Sequence, residues 1–340
     1  MIDFYGASPN QQADKLLQLA HSLLFQWGLE GSTITLIKMR ENAVFEVRRG
    51  DGTRYAMRMH RVGYHSDSEL RSELQWMLAL QESGVEVPKP IRNITGELYV
   101  VIDSYIHGGR RQVDLFEWVN GEHLSGDGSV PLEVLTSNFK VLGEIAAKIH
   151  NQSVNWLSPK GFYRKAWDIE GLVGENPLWG RFWELESLSN SETKLMIEVR
   201  DRLRVDLAFY KSKPENDRMY GMIHADLVSE NVLVDGNSVR VIDFDDAGFG
   251  WHLFEVATAL YFERWESNYE ALKQAMIEGY RANRGLSDEQ LSYLPLFMLA
   301  RGTTYLGWVK SRPESDIVDN FTPMFIENVC KAADEYLSSK

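Results

Sequence analysis

The chain has 340 residues, 44% of them hydrophobic and 25% charged, with a formal net charge of −13. That length leaves room for two lobes with their own cores, and the composition is ordinary for a soluble globular protein. The acidic balance argues against nucleic acid as a main partner, because gripping a phosphate backbone takes a basic surface, and it suits a cationic ligand.

The one cysteine, Cys330, leaves no internal disulfide to form, and no Cys/His metal spacing is present, which fits a reducing compartment. The first ten residues carry neither a basic n-region nor an apolar core. No uncharged apolar run approaches about 18 residues. The expectation is therefore no secretory signal, no membrane span and a cytoplasmic location.

Ser8 and Pro9 open a first helix as N-cap and first helical position, and Gly28 closes it. Strand-like runs follow at 33–38, 43–48 and 53–60, the last two joined by the turn Arg49-Gly50-Asp51-Gly52. A second helix starts at Ser66, where Ser66 and Glu69 form a capping box, and runs to Gly84 with Leu70, Leu74, Met77, Leu78 and Leu80 on its apolar face. The stretch 85–90 reads as extended. Two more strands are expected at 98–103 and 112–119, around the loop IHGGRR.

Asn120-Gly121 breaks the strand pattern. Beyond it, helices are expected at 131–151, 191–211, 255–266, 268–283, 288–310 and 323–338. Ser287 and Gln290 cap the fifth, and Pro295 either kinks it or moves its start. The segment 152–183 is rich in Trp, Gly and Pro and has no clear period.

Inside that helical half lies 221–255, which holds His224, Asp226 and Asn231 in the arrangement H-x-D-x4-N, and then Asp243 in I-D-F-D. Strands are expected at 231–234 and 238–242, joined by the hairpin signal Asp235-Gly236-Asn237. A hairpin brings its two ends together, so Asp226 and Asn231 at its entrance approach Asp243 at its exit. A carboxylate base, an amide and a second carboxylate are what phosphoryl transfer from Mg-ATP uses, since positioning and charge neutralisation do most of the catalysis. Asp226 is the expected base or orienting group, with Asn231 and Asp243 the expected Mg ligands, an oxygen set that suits that ion. His224 is expected to hold the loop through its ring nitrogens. Trp251, Trp265 and Trp308 could cage a quaternary amine, but their helical spacing favours core packing.

The layout resembles the protein-kinase-like fold, an α+β architecture. More narrowly it resembles the aminoglycoside phosphotransferase and choline kinase superfamily, with its homoserine kinase type II and stress-response-kinase branch. The residues that carry the likeness are ENAVFEV (41–47), RYAMRMHR (54–61), ELQWMLAL (73–80), VPKP (87–90), IHADLVSENVLV (223–234) and VIDFDDAG (241–248). The likeness implies an N-terminal ATP-binding lobe over 1–119, built on an antiparallel five-stranded sheet plus a helix. It implies a mainly helical catalytic and substrate-binding lobe over 120–340, with a hinge at about 117–121.

Arg58 then stands where the family places the lysine that holds the α- and β-phosphates. Its fork of donors can grip phosphate in that lysine's place. Glu73, or Glu69 one turn earlier, is its implied ion-pair partner. The loop 39–43 would cover the phosphates with Glu41 and Asn42 in place of a Gly-rich signature. Glu117 and Val119 would frame the adenine, and Glu255 stands where an aspartate commonly braces the catalytic loop. Asp245 and Asp246 are candidates for metal, loop or substrate-amine contacts.

The implied function is ATP-dependent transfer of the γ-phosphoryl group to the hydroxyl of a small molecule, such as a homoserine-, choline- or aminoglycoside-like acceptor. The alternatives are a protein Ser/Thr kinase of the stress-response type and a nucleotide-binding pseudokinase. The short segment 247–253 counts against a regulated activation loop.

Overall fold

A computed structural model describes residues 4–40, 42–124, 130–312 and 316–338. Glu41, expected in the phosphate-covering loop, lies outside the described residues. The chain divides into two units. The first holds Met1–Gly121, Ser158–Tyr163 and Arg240–Ile242; the second holds Glu122–Leu157, Arg164–Val239 and Asp243–Lys340.

The first unit begins with α1, Pro9–Leu23. Ser8 Oγ accepts the Gln11 N–H and the Gln11 side chain accepts the Ser8 N–H, which satisfies two donors that the helix start would otherwise strand. A 3-10 turn extends α1, and Gly28, at φ 64°, stops it.

Five strands follow: β1 (Thr33–Met39), β2 (Ala43–Arg48), β3 (Arg54–Met59), β4 (Tyr99–Ser104) and β5 (Gly109–Glu117). They pair antiparallel in the order β1-β2-β3-β5-β4. Between β3 and β4 comes α2, Asp67–Glu82, started by the Ser66/Glu69 capping box. Phe45, Val47, Met57, Met59, Val113 and Leu115 cluster with Leu16, Leu19, Ala20 and Leu23 of α1. Strand alternation puts Arg58 on the opposite face, towards α2.

Strand β5 starts at Gly109, so part of the basic stretch expected as loop belongs to the sheet. The segment 85–90 joins the sheet only through a single bridge, Pro90 to Phe116, because a proline has no N–H to give a ladder.

The second unit is mainly helical. It contains β6 (Glu122–His123), α3 (Leu132–Asn155), β7 (Ala166–Trp167), α4 (Ile169–Val173), α5 (Asn190–Ser212), β8 (Tyr220–Ile223) and β9 (Val232–Asp235). β10 (Ser238–Val241), whose last two residues count with the first unit, β11 (Gly248–Trp251), α6 (His252–Leu260), α7 (Tyr269–Asn283), α8 (Asp288–Leu291), α9 (Leu294–Ser311) and α10 (Asp316–Ser338) follow. Gly143 on α3 and Gly279 on α7 let these two helices touch backbone to backbone. A Cβ at Gly279 would lie 1.8 Å from the Lys140 carbonyl oxygen.

Two small sheets carry the loops of interest. β11 runs parallel to β7 and antiparallel to β8, and β9 pairs with β6 and β10. The Asp-Gly hairpin forms as expected, with Gly236 at φ 59°.

Four expectations need correction. Asn231 closes a 3-10 turn, Ser229–Asn231, and does not start the strand. The helix expected at 255–266 starts at His252 and gives way to a 3-10 turn at Phe262–Trp265. The helix expected at 288–310 is two helices: the Ser287/Gln290 box caps the short α8, and Pro295 opens α9, where its missing N–H costs nothing. Pro323 sits inside α10, which begins at Asp316. Among the described residues no helix is long and apolar enough to cross a membrane.

Candidate active site

In the second unit, β8 delivers the chain into the loop that carries His224, Ala225 and Asp226. Among the described residues only two non-glycine positions have positive φ: Ala225 and Asp243, both at 66°. Such a conformation costs an alanine about 1–3 kcal/mol and persists only where its surroundings impose it. Glu255, buried in the first turn of α6, does so here. Its Oε1 accepts the His224 N–H at 2.9 Å and its Oε2 accepts the Ala225 N–H at 2.7 Å.

Behind Glu255 stands His150, whose Nε2 lies 3.6 Å from the carboxylate and whose Nδ1 lies 2.8 Å from the Tyr280 hydroxyl. The ring of His252 stacks on His150 at 4.0 Å. Burial pushes both imidazoles below their ordinary range. Burial also works to raise Glu255, but His150 and the backbone donors hold its carboxyl below the usual carboxylate range.

Asp226 is held from three sides. Its N–H donates to His224 Nδ1 at 3.2 Å. Asn231 Nδ2 donates to the Asp226 carbonyl at 2.9 Å and to its Oδ2 at 2.7 Å. Arg301 Nη2, from α9, donates to Oδ1 at 2.7 Å. The Asp226 side chain keeps 26% of its surface exposed, whereas that of Arg301 has none. Turning the Asn231 nitrogen to Asp226 leaves its carbonyl oxygen, the metal-competent atom, facing away from that pair.

Asp243 is exposed on the loop after β10. The next residue, Phe244, is buried with its ring 4.5 Å from that of His224, which ties this loop to the Asp226 loop. Arg164 donates to the carbonyls of Asp245 and Ala247, and Trp167 Nε1 donates to that of Asp246 at 3.0 Å. Asp245 is buried and Asp246 half-buried. Among the described residues no three or more His, Cys, Asp or Glu side chains are grouped to hold a metal ion.

Beside the Asp226 loop lies Glu263. Its Oε1 accepts the Ser229 hydroxyl at 2.9 Å, burial pushes its carboxyl up, and no cation pairs with it among the described residues.

In the first unit Arg58 is buried, not an exposed strand charge. It meets Glu73, the implied partner, at 2.7 Å, and also Asp114 of β5 through Nε at 3.1 Å and Nη2 at 2.7 Å. His60 Nε2 lies 3.1 Å from the same Asp114. Burial works to raise Asp114, but Arg58 and His60 hold its carboxyl below the usual range. Asn42 Oδ1 accepts the Arg61 N–H at 3.3 Å. The N–H groups of Glu117 and Trp118 donate to the carbonyls of Lys89 and Arg54, while among the described residues the Val119 N–H has no backbone partner. The Glu117 side chain pairs with Lys89 at 2.7 Å.

Sequence reasoning missed Arg301, Asp114 and Arg164. Arg301 left a signal: it is the one charged residue in the run LPLFMLARGTTYLG, where a buried cation needs a partner. Trp251 packs in the core against Tyr210, Tyr220 and Phe297, which removes it as a cage residue. Burial pushes the Cys330 thiol up to about 11, so it stays protonated at neutral pH.

Comparison with known proteins follows the same line. The amicoumacin kinase of Bacillus subtilis is 23% identical over 287 residues, covering 81% of this chain and 79% of that protein. The homoserine kinase of Methylobacillus glycogenes is 26% identical over 248 residues, covering 71% and 68%. Among solved structures, a microcompartment-associated aminopropanol kinase is 33% identical, with a TM-score of 0.83 over 95% of this chain and 98% of the other. A spectinomycin phosphotransferase at 16% identity and TM-score 0.60 shares the fold, which is the protein-kinase-like fold of the aminoglycoside phosphotransferases and choline kinases. The phosphotransferase enzyme family matches residues 33–286, most of the chain. On that match the chain belongs to the phosphotransferase enzyme family, as a small-molecule phosphotransferase with an alcohol group as acceptor.

Proposed function

We propose that the chain is an ATP- and magnesium-dependent kinase that phosphorylates the hydroxyl of a small amino alcohol. The observation that carries this reading is the Asp226 carboxylate, partly exposed yet held at both oxygens, on a strained loop that a buried Glu255 braces. Strain of this kind collects at functional sites. A solved amicoumacin kinase, 20% identical, holds AMP-PNP and Ca2+, which supports a nucleotide and a divalent ion.

In this reading Asn231 Oδ1 and Asp243 would hold magnesium, whose charge would neutralise phosphate oxygens. Asp226 accepts a hydrogen bond from the acceptor hydroxyl and aims its oxygen at the γ-phosphorus. The new O–P bond forms as the bond from phosphorus to the β–γ bridging oxygen breaks, and ADP leaves with that electron pair. The hydroxyl proton passes to Asp226 and on to solvent. An arginine-paired carboxylate is suited to orienting the hydroxyl in a loose transition state, where early proton removal gains little.

In the first unit we assign the phosphates to Arg58, steadied by Glu73, with Asn42 on the covering loop. Adenine takes the open Val119 N–H beside Glu117. The acceptor's ammonium group falls to Glu263, a half-buried carboxyl that no cation among the described residues pairs with, with Asp246 as a second carboxylate. Asp245, buried, keeps the loop in place. The similarity to an aminopropanol kinase and to homoserine kinases supports an amino alcohol.

The test is Mg-ATP turnover over aminopropanol, homoserine, choline, an aminoglycoside and casein, for the native chain and for Asp226→Asn. Turnover on an amino alcohol that Asp226→Asn reduces to a small but measurable residual rate is the expected result. ATP binding without turnover on any of them leaves a pseudokinase, and turnover on casein alone leaves a protein kinase; either result ends this reading.

A further inference from the structure

We infer that Arg301 is a positioning residue for phosphoryl transfer, acting through Asp226. The guanidinium is wholly buried in α9, and since a buried ion pair roughly breaks even against apolar packing of similar volume, stability alone does not explain an arginine at this position. What sets it apart is where its donors go. Nη2 reaches Asp226 Oδ1 at 2.7 Å, and Nη1 reaches the carbonyl of Ala225, the residue at positive φ, at 3.2 Å. Nε and Nη2 also donate to the Tyr305 hydroxyl, at 3.1 and 2.9 Å. The Tyr305 and Trp179 rings face the guanidinium at 4.5 and 4.9 Å. The planar fork is thus fixed before it meets the carboxylate.

Asn231 grips the other oxygen, so Asp226 is clamped from both sides and its rotation is stopped. A carboxylate offers about four lone-pair sites. Those not taken face the exposed side, where a hydroxyl approaches. Arg301 therefore sets the angle at which Asp226 meets the acceptor, and it touches neither substrate. A misplacement of about 1 Å in such a group costs about a hundredfold in rate. Lysine keeps the charge but loses the fork that spans Asp226, Ala225 and Tyr305.

The inference rests on the kinase reading above, and one set of variants separates the two. Turnover, KM for ATP and acceptor, and melting temperature are measured for Arg301→Gln, Arg301→Lys, Tyr305→Phe, Asp226→Asn and the Arg301→Gln/Asp226→Asn double variant. The expected result for Arg301→Gln is a kcat lower by about a hundredfold with KM for ATP changed less than about threefold. Millimolar guanidinium should restore about tenfold of that loss. In the Asp226→Asn background the same substitution should change kcat less than about threefold, because the two residues act as a unit.

Should Arg301→Gln not fold, Arg301→Lys and Tyr305→Phe carry the test. Each should lower kcat and leave KM for ATP unchanged at temperatures well below its melting point. Effects of Arg301 and Asp226 that multiply independently overturn the inference, as does a kcat that merely follows the folded fraction. Loss of turnover in Asp226→Asn with full turnover in the Arg301 variants defeats this inference alone; full turnover in Asp226→Asn defeats the kinase reading itself.

Discussion

Each unit buries an arginine against carboxylate, Arg58 in the first and Arg301 in the second, and the two are held in different ways. Arg58 meets two carboxylates, Glu73 and Asp114, with His60 beside Asp114. Arg301 meets one carboxylate, a tyrosine hydroxyl, a backbone carbonyl and aromatic faces. Both carboxylates of the first cluster are fully buried. The carboxylate of the second is partly exposed. The partners of Arg58 therefore fix Arg58. Arg301 instead fixes its partner, and that partner faces outward.

The largest effect that separates the two clusters is on stability. Arg58→Met takes the guanidinium away from two buried carboxylates and should cost about 3–5 kcal/mol, read from urea unfolding. Arg301→Met strands a carboxylate that water can reach, so its cost should be nearer about 1–3 kcal/mol. Equal losses would break the comparison. Glu255→Gln keeps the shape of the brace but puts an amide where one of the two N–H groups needs an acceptor. It should cost about 1–3 kcal/mol and lower kcat more than it raises either KM.

A smaller effect comes from pH. Unfolded imidazoles take up protons near pH 6.5, whereas burial keeps His150 and His252 neutral to lower pH. The unfolded chain thus binds more protons below about pH 6.5, and stability falls as pH drops through that window, while above it these groups contribute no slope. Asp114 and Glu255, both held low, add a further loss once pH falls below the ordinary carboxylate range. His252→Phe should flatten the upper part of the curve; a urea midpoint unchanged from pH 7.5 to 5.5 would contradict the account. The smallest effect is at the surface. Lys89→Ala breaks the exposed pair with Glu117 and should change stability by less than about 1 kcal/mol, with kcat unaltered.

Much of this was legible before any coordinates. Ser8 announces a helix start as an N-cap before Pro9, and Ser66 and Ser287 do so with Glu69 and Gln290, because the two residues that satisfy each other lie only three apart. Asp-Gly marks the hairpin, and the H-x-D-x4-N run carries the Asp226–Asn231 pair, whose contact is equally local. The strand order was not legible in the same way: β5 lies between β3 and β4, and nothing in either strand names its neighbour.

The amino-acid sequence by itself determined the family, the local caps and turns, and the residue types of the loop at 224–231. The tertiary structure alone decided how the polar side chains are partnered. Asp114 reaches Arg58, Glu255 reaches the backbone of Ala225, and Arg301 reaches Asp226 from 75 positions further along the chain. The physical reason is that a buried charge must find its counter-charge wherever packing places it. Short-range pattern reports where a charge stands, and only the packed chain reports what it meets.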